Sequence, residues 1–284
     1  MHLLMIIIAL SLAGVIRFCT PLSLIGWTTR WQRSLFYFVF PPLLLLMTTV
    51  AIVVMGYHGT MLGWQSSLYS YLLAVTFLIF AIISLIKLAY QGWQSIKKIN
   101  GYPEAIIAGK KARIIDIPVP YSAQIGFWNP EMVVSQELLN TLDQDHLMAV
   151  IAHEEAHANY QDTFWFFLLG WLGRITFWLP HTNNLWQDLL LIREIRADQQ
   201  ASQQVDPLLI AESLVIVARK INNITLNNSP EIMVATFHDK VLSNRLNERI
   251  DALLTESENN ICNSLNLSYI FLTFVPLVFI PFHC

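Results

Sequence analysis

The first third of this chain does not alternate apolar and polar residues; it runs apolar without a break. Three long apolar runs, roughly Leu3 to Ile25, Leu35 to Tyr57 and Leu68 to Tyr90, are separated by short polar connections. Each has about 20 residues or more, the length a helix needs to cross a hydrocarbon core of about 30 Å. Pro41 and Pro42 fall inside the second run and predict a kink there. A fourth, shorter run, Leu267 to Phe282, is read as a last span. The first run lacks a basic leader and a small-residue cleavage site before Arg17, so it reads as a retained membrane helix rather than a signal peptide.

Between Gln91 and Ser264 the pattern changes, and most of the charge lies here. Ala112 to Ser135 reads as short strands and turns, punctuated by Gly126 and Asn129-Pro130. Ser135 is placed to cap a helix over Gln136 to Leu142, and Asp143 or Asp145 to cap the next, which runs to about Tyr160. Helical periodicity returns over Leu185 to Gln204, Pro207 to Asn222 and Glu231 to Thr255, with no internal repeat. One more apolar run, Thr163 to Pro180, contains Arg174.

Composition narrows the class. Of 284 residues 55% are hydrophobic and only 13% charged, and mean hydropathy is +0.48. Soluble domains carry about a quarter charged residues, so a soluble globule and a disordered chain are both excluded. The net charge of −3 comes without a basic block, so no nucleic-acid partner is expected. Cys19, Cys262 and Cys284 form no CxxC pair, which excludes a cysteine zinc site. Nine tryptophans suit a protein anchored at a bilayer interface. Arg30 and Arg33 follow the first run; Lys97, Lys98, Lys110, Lys111 and Arg113 follow the third; the connection between the second and third runs has neither Lys nor Arg. The positive-inside rule then puts the segment after the third run on the cytoplasmic side.

The chemistry concentrates in His153-Glu154-Glu155-Ala156-His157, an HExxH pattern. On a helix the two histidines share one face and can hold one Zn²⁺, with Glu154 beside them as a base. A zinc hydrolase needs a third ligand, and the later helix offers Glu194, with Asp198 one turn on to fix a ligand histidine's tautomer. A di-iron bundle would need a second ExxH, and the chain has none. A transporter reading finds no acidic residue inside the spans.

His153 to His157 together with Glu194-Ile195-Arg196-Ala197-Asp198 resembles the membrane-integral gluzincin metallopeptidases. The likeness is nearest to the β-lactam sensor-transducer peptidase family, with heat-shock membrane zinc peptidases and CAAX prenyl endopeptidases as relatives. Ala123 to Pro130, Val133 to Ser135, Asp162 and Phe177 to Pro180 extend it. The resemblance implies a zinc endopeptidase with His153, His157 and Glu194 as ligands and Glu154 as base. It also implies an edge strand that binds substrate at Ile125, Gly126 and Phe127. Trp128 belongs to the same stretch, where bilayer anchoring competes with substrate contact. His238, in Thr236-Phe237-His238-Asp239, is the candidate oxyanion donor, although Asp239 stands where the relatives have proline. Arg245 and Arg249 are read as further donors or as solvated charges, the latter being favoured. No sensor domain is expected after the last span, so antibiotic sensing does not carry over.

The expected architecture is therefore a mainly α, polytopic membrane protein with a zincin-like helical peptidase domain and a small β-hairpin or sheet. Residues 1–92 would be three transmembrane helices, 93–264 the peptidase domain and 265–284 a C-terminal transmembrane helix. The run at 163–180 must be re-entrant or interfacial, because a single crossing would carry Glu194 to the far side from His157. The expected activity is hydrolysis of protein or peptide substrates at the cytoplasmic face of the cell membrane, with one Zn²⁺ per chain and the lipid bilayer as partner. A catalytically silent transducer or scaffold is the alternative.

Overall fold

The apolar runs become helices, and their lengths follow from where the apolar pattern stops. In a computed structural model that describes residues 2–19, 27–58, 60–61, 64–65, 67–228, 244–255 and 268–282, the chain divides into two compact units. One gathers Met1–Tyr90, Phe167–Leu190 and Asn260–Cys284; the other gathers Gln91–Phe166 and Leu191–Asn259.

The first unit is built on α1 (His2–Phe18), α2 (Trp27–Met55) and most of α3 (Leu68–Ile99). A two-stranded ribbon, β1 (Thr60–Met61) with β2 (Trp64–Gln65), joins α2 to α3. Two helices, α2 and α3, are long and apolar enough to cross a membrane, and α1 has 17 described residues. Ala9 and Ala13 of α1 pack on Phe40, Leu44 and Leu45 of α2, with Leu179 closing the cluster. The small residues let the two helices approach closely, as helices in a bilayer prefer. By contrast, α3 leaves Leu72, Ile79, Ile83 and Ile86 about half exposed, an apolar stripe of the kind that marks an interaction surface.

The helix α2 runs through Pro41 and Pro42, both buried, as one assigned helix. Proline supplies no N–H to the carbonyl four residues earlier, so the Phe38 carbonyl loses its partner at Pro42. Arg17, fully buried in α1, repairs this by donating to Phe38 O at 3.3 Å. Its guanidinium also donates to Thr182 Oγ1 at 3.1 Å and to Pro180 O at 3.4 Å. The same unit buries part of a second polar cluster, where Arg30 Nε donates to Asp188 at 2.6 Å and Ser34 donates to the other Asp188 oxygen. At the far end, 268–282 is not one regular helix. It is a succession of α10 (Ser268–Phe271), a 3-10 turn, α11 (Val275–Val278) and another 3-10 turn. Pro276 and Pro281 remove the amides that a continuous helix would use.

The second unit wraps helices around a four-stranded sheet of β3 (Glu104–Ile107), β4 (Lys110–Ile115), β5 (Ser122–Ile125) and β6 (Glu131–Ser135), in the order β3-β4-β6-β5. The first strand, β3, lies before the segment that reads as strands in the sequence. Only the β4–β6 pair is parallel. Ile107, Ala112, Met132 and Val134 of the sheet pack on Leu138 and Leu142 of α4 (Gln136–Thr141) and Ile151 of α5 (Gln144–Asn159). Ser135 caps α4, accepting from Leu138 N, and its Oγ also accepts from Tyr121 N at 2.9 Å, which ties the entry of β5 to the start of the helix. Asp143 caps α5. The rest of this unit comprises the start of α6 (Asp162–Ile175), the last half of α7 (Thr182–Ala201), α8 (Pro207–Asn228) and α9 (244–254); the remainder of α6 and α7 belongs to the first unit. Ala149 and Ala152 of α5, Ala201 of α7, Ile210 and Ala211 of α8 and Leu253 of α9 close a second cluster.

Candidate metal centre

The helix α5 carries both histidines of HExxH, and α7 brings Glu194 to them. The donors converge: His153 Nε2 lies 3.1 Å from His157 Nε2. Glu194 Oε2 is 3.4 Å from His153 Nε2, and Oε1 is 3.6 Å from His157 Nε2. Donors on a tetrahedral zinc, with bonds of about 2.0–2.1 Å, sit roughly 3.3 Å apart, so the spacing fits such an ion. The tautomers point the same way. His157 Nδ1 lies 2.8 Å from Asp162 Oδ2, and His153 Nδ1 lies 2.7 Å from Asp198 Oδ1. A carboxylate at Nδ1 keeps the proton there and leaves the Nε2 lone pair free for a metal. Two Nε2 lone pairs facing one another beside a carboxylate call for a cation between them.

The electrostatics agree. Burial pulls the His153 imidazole down, but the charge and contact of Asp198, then Glu194, more than reverse this and raise it from 6.5 to about 9. Burial pushes Glu194 up, yet its contacts with His153 and His157 and the charge of Arg249 hold it well below the usual carboxylate range. The pocket thus favours positive charge. Glu154, buried at 5% exposure, accepts from Ser122 Oγ at 2.6 Å. Ser122 belongs to β5, so the edge strand and the helix of the centre meet at this carboxylate.

Several features escape the sequence. Arg249 is not a solvated charge. It lies on α9 and is largely buried, donating through Nε to Asp198 Oδ2 at 2.7 Å and through Nη2 to Oδ1 at 2.8 Å. Its Nη1 is also 3.5 Å from Glu194 Oε2. Arg193 donates to Glu194 Oε1 at 2.6 Å while its guanidinium stacks 4.8 Å over Phe166. Arg196 donates to Asp162. Asp162, which enters the sequence reading only as part of a pattern, backs His157 as Asp198 backs His153. Local spacing betrays neither the Arg249–Asp198 pair nor the Arg196–Asp162 pair, because the partners are far apart in sequence.

The expected substrate strand is displaced. The strand proper is Ser122–Ile125, paired only with β6 among the described strands, so its outer edge is open. The chain leaves it at Gly126, whose φ of +133° ends the extended run and where a Cβ would stand 2.9 Å from Asn129 O. Ile125 ends the strand, while Gly126, Phe127 and Trp128 form the turn to β6. The Phe127 ring lies against Gly92, and Trp128 stacks on Phe164 at 4.8 Å. A cavity of about 260 Å³ opens beside this turn, against Ile96, Ile99 and Asn100 of α3. His238 lies outside the described residues.

An HExxH helix, a third carboxylate from a later helix and a small sheet with an open edge strand define the metallopeptidase class. Within it, residues 110–221 match the family model described as Peptidase family M48. That match supports a metallopeptidase function for the segment holding His153, His157 and Glu194. No curated protein and no solved structure matches the chain.

Proposed function

We propose that this chain is a membrane-embedded zinc endopeptidase, in the manner of the sensor-transducer-like gluzincins, acting on protein substrates at the cytoplasmic face. One observation carries the reading: three donor atoms, from His153, His157 and Glu194, converge within 4.8 Å beside an intact Glu154. Zinc, when bound, supplies a Lewis acid that acidifies water and polarises a peptide carbonyl. Glu154, aimed by the Ser122 hydroxyl, takes the proton of the attacking water and passes it to the leaving amine. The open edge of β5 gives an extended peptide a row of main-chain partners, and these place the scissile bond near the Ser122 end of the strand. His238 is proposed as the oxyanion donor, with Asp198 fixing the His153 tautomer.

The membrane setting follows from α2 and α3 and from the basic residues that flank them. At 1.5 Å per residue, the 14 residues of α6 reach only about 21 Å, short of a core of about 30 Å. That short reach supports a re-entrant or interfacial placement for 163–180. The test is Glu154→Ala, purified in detergent with the wild type. One zinc per chain in both, with cleavage of an unfolded protein reduced by roughly 10²–10⁴ in the variant, supports the proposal. A wild type without zinc, or a variant that still cleaves, overturns it.

A further inference from the structure

The centre is organised as two parallel relays. In one, Arg196 donates to Asp162, and Asp162 Oδ2 lies 2.8 Å from His157 Nδ1. In the other, Arg249 donates twice to Asp198, and Asp198 Oδ1 lies 2.7 Å from His153 Nδ1. Each ligand histidine is thus backed by an aspartate, and each aspartate by an arginine. Both aspartates are almost wholly buried, Asp162 at 3% and Asp198 at 1% exposure. A lone buried carboxylate at that depth is costly, and a charge-assisted pair with arginine offsets the cost while fixing the orientation of the carboxylate plane. Arg196 is further held with its guanidinium 4.0 Å over the Tyr160 ring.

We infer that Arg196 and Arg249 are positioning residues that set the metal affinity of the centre, and that Arg249 makes this affinity depend on the docking of α9. The inference rests on the metallopeptidase reading and deepens it. Arg249 does more than its counterpart, because its third nitrogen also reaches Glu194. One guanidinium from α9 therefore holds the third ligand and the carboxylate behind the first ligand in a single frame. Arg249 lies beyond the segment 110–221 that matches the family model, so this clamp is not contained in that match. Neither arginine touches substrate or metal; each acts through an aspartate, and Arg249 also through Glu194.

The test is zinc affinity, measured by competition with a chromogenic chelator, on full-length Arg196→Gln, Arg249→Gln and Arg249→Lys. Partners one step behind metal ligands typically account for 10- to 100-fold in affinity. Arg196→Gln is expected to weaken zinc about 10-fold, and Arg249→Gln by more. Arg249→Lys keeps the charge but loses the two-pronged fork, so it is expected to recover only part of the loss. The absorption spectrum of the Co²⁺-loaded protein is expected to change in intensity or position in both Arg249 variants. An arginine with a merely structural role would lower the thermal midpoint of the zinc-free protein and leave affinity and spectrum alone, which overturns the inference. So would affinities within threefold of wild type. Should Arg249→Gln fail to fold, Arg249→Lys and Arg196→Gln decide the matter by the same criteria. A wild type that takes up no zinc refutes the metallopeptidase reading. A wild type that binds one zinc, with variants that bind it equally well, refutes only the relays.

Discussion

Replacing Ser122 with alanine removes a single hydroxyl from an edge strand, yet the structure ties it to the reaction. Its Oγ donates to Glu154 Oε1 at 2.6 Å, and Glu154 is only 5% exposed. Water has poor access to replace the lost donor. A hydrogen bond to a charged group contributes about 1.5–3 kcal/mol. If that energy serves to hold the carboxylate aimed at the attacking water, its loss appears in kcat/KM, where each 1.36 kcal/mol is tenfold. Ser122→Ala should therefore lower kcat/KM by roughly 10- to 150-fold, and chiefly through kcat, because peptide pairing along β5 uses main-chain groups. Zinc content should stay at the wild-type level, since Ser122 contacts none of the three candidate ligands. Ser122→Thr keeps the donor and suits a strand, so it should recover most of the activity. The assay is continuous cleavage of a quenched fluorescent peptide by detergent-purified protein, with zinc measured on the same samples. Activity of Ser122→Ala within threefold of wild type, at equal zinc, would refute the argument that this hydroxyl aims the base.

Two further outcomes follow from charge and topology. Glycosylation tags at Asn140 and Asn184 should behave alike, both unmodified on the cytoplasmic side, while a tag in the connection 58–67 is modified; opposite behaviour of the first two would break the assignment of Glu194 to the centre. His146 lies 2.6 Å from Asp143 and 3.3 Å from Glu212. Its pKa is raised above 6.5 by the bond to Asp143 first and Glu212 next, against a lowering by burial. A raised value means the stabilisation is full below pH 6.5 and is lost as pH rises through the folded-state value. Glu212→Gln should lower the His146 midpoint in histidine hydrogen–deuterium exchange and cost stability at pH 5.5 but not at pH 8.5; an unchanged midpoint rejects the pairing.

What the sequence discloses and what it hides divide along one physical line. HExxH, the Ser135 and Asp143 caps and the long apolar runs are local patterns. Helix geometry alone decides where His153 and His157 point, and backbone amides alone decide that Ser135 accepts from Leu138. Glu194 and Asp198 were legible for the same reason: they sit one turn apart on one helix, and a zinc site needs a carboxylate from somewhere. Ser122, Arg196 and Arg249 were not, because each acquires its role only when a distant element is folded against it. Arg17 behaves likewise, since a lone arginine near the end of an apolar run reads as a snorkelling charge until Pro42 deprives the Phe38 carbonyl of its amide. The resemblance implies substrate contact along an edge strand at Ile125 to Phe127, whereas the strand ends at Ile125, because the φ of Gly126 is a property of the folded turn.

The same line explains why the arginines do not defeat the centre they surround. Glu154, Asp162, Glu194 and Asp198 bring four carboxylates, and Arg193, Arg196 and Arg249 answer with three guanidiniums. Among the described residues, and with neutral imidazoles, this leaves one excess negative charge in the cluster around His153 and His157. A divalent ion held by His153, His157 and Glu194 would meet that charge at the point where the three donors converge. Single-sign substitutions within the shell should consequently shift zinc affinity more than they shift the fold.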